Sequence, residues 1–355
     1  MLRLPPFEYR RPASLAEAAA ILSGEGAGEG GNAVRLVAGG TDLWPNMKRR
    51  HQKARTVVSL MGIPGLAGIG GGDGGGREGG ELRLGATALL DEVERDPVVR
   101  RRFPALATAV ASISSPPLRN MGTLGGNLCL DTRCTYYDQT EDWRRAVSYC
   151  LKEEGTTCWV APGSRRCLAH AASDAAPMLS ALDARVRLAG PGGERTIPLG
   201  DLYRDDGIDY LAKRPDEILV EVLVPGESAA GSCRAAFWKL RRRGSIDFAV
   251  LSAAVALWLD GAGAVTRARI FLGAVASRPV EAAAAAESLL GAPPTAEAIA
   301  RAAVLARRAA TPFDNTDFQA QWRALMVERY TAAALAEAAG LDPARSGPRH
   351  VRVLA

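Results

Sequence analysis

Histidine is nearly absent from this chain. His51, His170 and His350 are the three in 355 residues, and they are scattered, which argues against a zinc site built from imidazoles. No run of apolar residues approaches the length needed to cross a bilayer. The opening Met1-Leu2-Arg3-Leu4-Pro5-Pro6 lacks the charged-then-apolar pattern of a secretory signal. The expected compartment is therefore the cytoplasm, where thiols stay reduced. Aromatic residues make up only 6% of the chain and do not interleave with basic clusters such as Arg241-Arg242-Arg243. With a net charge of only +5, that pattern speaks against a nucleic-acid surface. It leaves a solvated face or a docking surface for an acidic partner.

What is present is apolar residue in quantity, 47% of the chain, enough to bury the cores of two or three domains. Ser14 and Glu17 form a capping box that opens a short helix through about Leu22. Val34–Ala38 and Thr56–Leu60 read as strands. The tract from Gly68 to Gly80 reads as low-complexity linker. Its formal G-x-G-x-x-G match at Gly70, Gly72 and Gly75 has no strand running into it and no helix after it, so it is not a dinucleotide fingerprint. Leu82–Ala86 alternates like a strand and leads into a helix around Leu89 to Glu94. After Asn127 the chain is polar and irregular to about Ala172. Ser173–Leu179 reads as a helix, and Ala184–Leu188 and Glu217–Pro225 as strands. Pro225-Gly226-Glu227-Ser228 marks a junction. Strands near 235–240, 249–259 and 265–272 follow, then helices near 279–290, 295–309 and 318–339. This is α+β order. It divides the chain into 1–226, 227–340 and a tail, 341–355.

Three elements carry chemistry. Val37-Ala38-Gly39-Gly40-Thr41-Asp42-Leu43 follows a strand directly. Glycines let the backbone approach a ligand and aim its N–H groups at an anion. Gly122-Thr123-Leu124-Gly125-Gly126-Asn127 has the same character, and two such turns suit the two phosphates of one dinucleotide. The third element is Cys134, Cys150, Cys158 and Cys167, spaced C-x15-C-x7-C-x8-C. In a reducing compartment these are ligands, redox groups or core residues rather than a disulfide framework. The spacing is not a ferredoxin run. An iron–sulfur cluster, a four-thiolate zinc site and unrelated buried thiols all remain open on the residues alone. Cys129 and Cys233 read as small core residues, with Cys129 in a strand.

The order of Ala38–Leu43, Gly122–Asn127, Ser173-Asp174 with Pro177, and Phe237-Trp238-Lys239 followed by Asp247 resembles the FAD-binding subunits of the molybdenum hydroxylase family. Phe7, Tyr9 and Pro12 at the start, and Gly273-Ala274-Val275-Ala276-Ser277-Arg278-Pro279 near the end, extend the resemblance over nearly the whole chain. It implies a vanillyl-alcohol-oxidase (PCMH)-type FAD-binding domain of two subdomains, then a smaller C-terminal α+β domain. It further implies that Val37–Leu43 with Gly122, Thr123, Gly125, Gly126 and Asn127 hold the FAD pyrophosphate. Asp174 is then at the adenosine side, Leu219 against the isoalloxazine, and Lys239 near the ring's polar edge, where a cation favours the reduced flavin. Asp247 is expected to satisfy backbone donors after Arg243-Gly244.

The chain departs from the family pattern in one respect. Between Asn127 and Ser173 lie 45 residues, and they carry the four cysteines. Such an insertion, 130–170, is similar to that of the β subunit of 4-hydroxybenzoyl-CoA reductase, which houses a [4Fe–4S] cluster. The resemblance implies Cys134, Cys150, Cys158 and Cys167 as its ligands, with Trp143 and Trp159 covering it from water. It implies a molybdenum-cofactor large subunit and a [2Fe–2S] small subunit as partners, and ferredoxin as electron donor. It implies no substrate-transforming residue on this chain. The alternative is the FAD subunit of an oxidative molybdenum hydroxylase with a structural zinc.

Overall fold

The computed structural model describes residues 2–25, 34–71, 80–229 and 232–345. The three sheets are small, and each builds one layer. Strands β1 (Glu8–Arg10), β2 (Val34–Val37) and β3 (Thr56–Ser59) form a parallel sheet in the order β1-β3-β2. Parallel strands need crossovers, and helices Leu15–Glu25 and Leu43–Lys48 lie in them. At the first helix, Ser14 Oγ accepts from the Glu17 N–H at 3.2 Å. The Glu17 carboxylate accepts from the Ala13 N–H, one residue before the cap.

The second sheet is antiparallel, in the order β4-β5-β8-β6-β7. Its strands are β4 (Ile69–Gly71), β5 (Leu82–Gly85), β6 (Arg185–Gly190), β7 (Gly193–Pro198) and β8 (Ile218–Val224). Every residue of β8 is buried, as befits a central strand covered on both faces. Gly70, assigned to linker from sequence, lies in β4 and pairs with Arg83; Gly72 and Gly75 lie outside the described residues. The third sheet is antiparallel, in the order β12-β11-β10-β9, from β9 (Cys233–Leu240), β10 (Leu251–Leu259), β11 (Val265–Gly273) and β12 (Val280–Glu281). Helices Ala296–Ala309 and Ala320–Ala339 pack their alanine-rich faces on it, and Gly340, at φ 77°, ends the second.

The irregular stretch after Asn127 contains one helix that sequence missed, Glu141–Ala146, capped by Thr140. Cys129 is also placed differently. It is the C-cap of a five-residue helix, Leu124–Leu128, and not part of a strand. The cap residue Thr123 accepts from Gly126 N–H, so the second glycine element is a helix start where a turn was expected. No helix of the described residues is long and apolar enough to cross a membrane.

Candidate functional site

The first and second sheets, the helix Leu124–Leu128 and the loop of Ile246, Asp247 and Phe248 between β9 and β10 enclose a cleft of about 620 Å³. Its wall includes Val37, Ala38, Gly39, Gly40, Thr41, Asp42 and Leu43 from the end of β2. It also includes Gly122, Thr123, Gly125, Gly126, Asn127, Asp174 and Leu219. The structure thus brings together every residue of the first glycine element and all of the second except Leu124, which is buried in the main core.

The two elements touch. A Cβ on Gly39 would sit 1.6 Å from the Met121 carbonyl oxygen, so only glycine permits this approach. Gly40 adopts φ 70°, and a Cβ there would meet the Trp44 indole at 2.0 Å. Gly125 presses on Ala86 in the same way. Much of the glycine content therefore serves packing between the elements. Gly126 differs, since a Cβ there meets only Thr123 Oγ1, at 2.9 Å.

Lys239 does not line the cleft, contrary to its expected place at a ring edge, and it is no surface lysine either. It is buried behind Asp174, whose Oδ2 accepts from Nζ at 2.6 Å. Its other donors go to the carbonyls of Ser112 at 3.0 Å and Asp247 at 2.9 Å. An ammonium has three protons, and all three are used. Burial raises the Asp174 carboxyl, and the Lys239 charge opposes that rise. Asp247 accepts from the N–H groups of Arg242 and Arg243, the structural role expected of it.

The cysteine-bearing segment forms part of the same wall. Cys129, Leu130, Asp131 and Arg133 line the cleft, and Cys134 is the next residue. Arg133 pairs with Asp42 and stacks over Phe248, 4.5 Å from the ring centroid. It joins the first glycine element, the inserted segment and the C-terminal domain. Asp131, also buried, accepts from Lys152 at 2.8 Å and Gln52 at 3.0 Å. Lys152 donates further to Thr132 Oγ1 and the Gly207 carbonyl. Arg144, 1% exposed, binds Glu141, Glu153 and the Arg49 carbonyl. Sequence reading passed over Arg133, Asp131, Lys152 and Arg144. Their signal was charge at high density in a segment otherwise read as irregular.

All four cysteines of the insertion are buried. Cys134, Cys150 and Cys167 share one small cluster with Tyr137 and Ala169. The thiols lie near enough that ionising one disfavours ionising another: Cys134 senses Cys167 and Cys150, and Cys167 senses Cys158 and Cys150. Burial pushes Cys134 up to about 12 and Cys167 up to about 11. Burial raises Cys150 as well. Lys152 opposes the rise at Cys150 and Cys167. The Ala169 N–H donates to Cys167 Sγ at 3.5 Å. The thiols do not converge on one point: among the described residues, no three His, Cys, Asp or Glu side chains are grouped so as to hold a metal ion.

Trp143 and Trp159 are 38% and 39% exposed, so each keeps a face in solvent. Tyr137 packs with the thiols, its hydroxyl bonded to the His51 carbonyl. Cys129, half-buried on the cleft wall, is more than core filling. Cys233 opens β9, packs on the main core, and is pushed up to about 12 by burial.

Residues 5–227 match the family described as the FAD binding domain in molybdopterin dehydrogenase. Residues 235–338 match the CO dehydrogenase flavoprotein C-terminal domain. The carbon monoxide dehydrogenase medium chain of Hydrogenophaga pseudoflava is 29% identical over 339 residues, covering 94% of this chain and 99% of that one. The aldehyde oxidoreductase FAD-binding subunit PaoB of Escherichia coli (strain K12) is 32% identical over 255 residues, 69% of this chain and 76% of that one. Among solved structures, a chain of carbon monoxide dehydrogenase from Hydrogenophaga pseudoflava superposes with a TM-score of 0.76 at 28% identity, covering 95% of this chain and 98% of that one. With that cleft, that order of domains and those likenesses along nearly its whole length, the chain belongs to the FAD-binding medium subunits of the molybdopterin dehydrogenase family.

Proposed function

We propose that this subunit relays electrons between an FAD in the cleft and a [4Fe–4S] cluster in the cysteine segment, within a molybdenum-containing complex of the 4-hydroxybenzoyl-CoA reductase type. The observation that carries the reading is the adjacency of the two sites: Arg133 lines the cleft and Cys134 follows it. When bound, FAD exchanges electrons one or two at a time and the cluster exchanges them singly.

The cleft residues suit FAD, and for the cluster the support is the kind of donor the segment carries. The wall from Val37 to Leu43 offers backbone donors for the pyrophosphate, and Thr41 adds a hydroxyl. Gly122, Thr123, Gly125, Gly126 and Asn127 face the same space. Asp174 offers a carboxylate oxygen, Oδ1, that is buried without a hydrogen-bond partner. Leu219 offers an apolar contact. For the cluster, Cys134, Cys150, Cys158 and Cys167 offer four soft donors. A cube takes one thiolate per iron, so it asks for thiols spread around it rather than met at a point. Tyr137 and Ala169 exclude water, the Ala169 N–H holds Cys167, and Lys152 places positive charge beside Cys150 and Cys167. These are the levers by which a protein sets a cluster's potential. Ligand thiols must shed their protons, so the high values at Cys134 and Cys167 mean that loading releases protons.

In this reading the partners are a molybdenum-cofactor large subunit and a [2Fe–2S] small subunit, with ferredoxin as donor. The domains divide near residue 226. A second reading is favoured by the names of the relatives, which include carbon monoxide and nicotinate dehydrogenases. There the same FAD passes electrons outward from substrate oxidation, and the cysteines hold zinc. Iron and acid-labile sulfide analysis of the anaerobically purified chain separates the two. The first reading expects about four irons, lost on replacing any of Cys134, Cys150, Cys158 or Cys167 by serine. Cys129→Ala and Cys233→Ala should keep the iron. Zinc without sulfide, or iron lost with Cys129 and kept without Cys134, overturns the first reading.

A further inference from the structure

The four cations on the cleft wall, Arg35, Arg49, Arg133 and Lys213, are not equivalent. Arg49 is paired with Asp138 at 3.0 Å, and Arg133 with Asp42. Lys239 stands behind the wall, spent on Asp174. Lys213 lines the cleft and has no carboxylate partner among the described residues. Its Nζ donates to two backbone carbonyls, of Glu217 at 3.0 Å and Arg214 at 3.3 Å. The acids nearest in sequence are engaged elsewhere. Both Glu217 oxygens bind the Arg195 fork, at 2.7 and 2.9 Å, and Asp216 pairs with Arg214 at 3.6 Å. An ammonium has three donors. The third at Lys213 has no acceptor among the described residues.

A half-buried charge is costly when its carboxylate neighbours, here Glu217 and Asp216, act on it only from beyond ion-pair distance. Burial accordingly lowers the Lys213 pKa from its ordinary value. Arg323 shows how the fold treats a buried cation kept only for structure. Its guanidinium is wrapped by the oxygens of Val250, Phe313, Asn315 and Ala274. Lys213 is left incomplete on the side of the cleft. The wall around it comes from Tyr210, Leu211, Pro215 and Leu219. Those apolar and aromatic surfaces suit a planar heterocycle, whereas phosphates suit the N–H-rich turn at Gly39–Asp42.

We propose that Lys213 is a positioning residue for the flavin ring, its ammonium facing the negative charge that the ring carries when reduced. The inference rests on the FAD reading of the cleft and gives Lys213 the role that sequence gave to Lys239. A unit charge within a few ångströms of a developing anion, at the effective dielectric near a protein surface, is worth at least about a tenfold shift in equilibrium.

The test uses the full chain, purified with its FAD, as wild type, Lys213→Gln and Lys213→Arg. FAD content after desalting and the flavin reduction potential against reference dyes are both measured. The expected result is full FAD in all three. Lys213→Gln should move the equilibrium about tenfold against reduction, a fall of about 30 mV for a two-electron couple, and Lys213→Arg should recover most of it. An unshifted potential in Lys213→Gln overturns the inference, as does the same shift in both variants, which marks repacking. FAD lost from Lys213→Gln and retained by Lys213→Arg assigns the ammonium to the phosphates and also overturns it. A wild-type chain that holds no FAD refutes the cleft reading itself, and this inference with it.

Discussion

The Lys239–Asp174 pair is a buried ion pair whose removal should be felt throughout the molecule. Lys239 is 1% exposed and Asp174 3%. Lys239→Met leaves a carboxylate in a dry site with one oxygen, Oδ1, already lacking a partner. It also withdraws a donor from the Ser112 and Asp247 carbonyls. Asp174→Leu leaves the ammonium facing two carbonyls alone. Breaking such a pair on one side costs about 3–5 kcal/mol, a large part of a total that is roughly 5–15 kcal/mol for most domains. Replacing both partners removes both buried charges. The double variant Asp174→Leu/Lys239→Met should therefore lose less than the sum of the singles, by about 2 kcal/mol. The assay is urea unfolding followed by near-ultraviolet circular dichroism on all four chains. Single losses below about 1 kcal/mol, or strict additivity, would show that the site relaxes or admits water and would refute the argument.

Two further outcomes follow from named atoms. Gly40→Val should misfold the first glycine element through its φ of 70° and the Trp44 indole, giving little soluble protein. Gly126→Ala, which meets only one hydroxyl oxygen, should fold normally and lose FAD on desalting; full retention removes Gly126 from the binding surface. His170 is buried and burial lowers it to about 4 from an ordinary 6.5. Between those values the unfolded chain binds the extra proton and the native chain does not, so stability is lost as pH is lowered from 6.5 to 4, by about 3 kcal/mol in total. His170→Gln should flatten the slope between pH 6.5 and 4, and an unchanged slope in unfolding midpoints would assign the loss to other groups.

The parts of the fold that were legible in sequence were those dictated locally. Strands β8 to β11 alternate or run apolar, and the alanine-rich helices repeat at helical spacing, so their boundaries fell within a few residues. The joining of the two glycine elements into one wall was foreseen, because both follow the same chemical pattern. What was misplaced depended on long-range contacts. Lys239 alternates in a strand like any outward residue, and nothing local says that Asp174, 65 residues away, waits for it. Lys213 gave no signal for a similar reason, since its importance lies in the carboxylates that are engaged elsewhere. The tryptophans of the insertion were expected over the thiols because they flank them in sequence, yet both keep a face in solvent. Tyr137, which sequence reading passed over, packs with the thiols, and its hydroxyl finds the His51 carbonyl.

The cysteine segment is held from two sides of the chain, and the second side is made late. Thr135 N–H donates to the Asn315 carbonyl, Asn315 Nδ2 to Leu168, and Ser277 Oγ to Ala169. Asn315 lies 147 residues beyond Leu168. At about 5–20 residues per second, a ribosome needs roughly 7–30 s to cover that distance. For that interval the segment lacks these closing contacts, while the residues that pack on its thiols, Tyr137 and Ala169 among them, are already made. Birth order thus leaves the backbone of the cysteine segment to wait for its last hydrogen-bond partners, Ser277 and Asn315, from the C-terminal part of the chain.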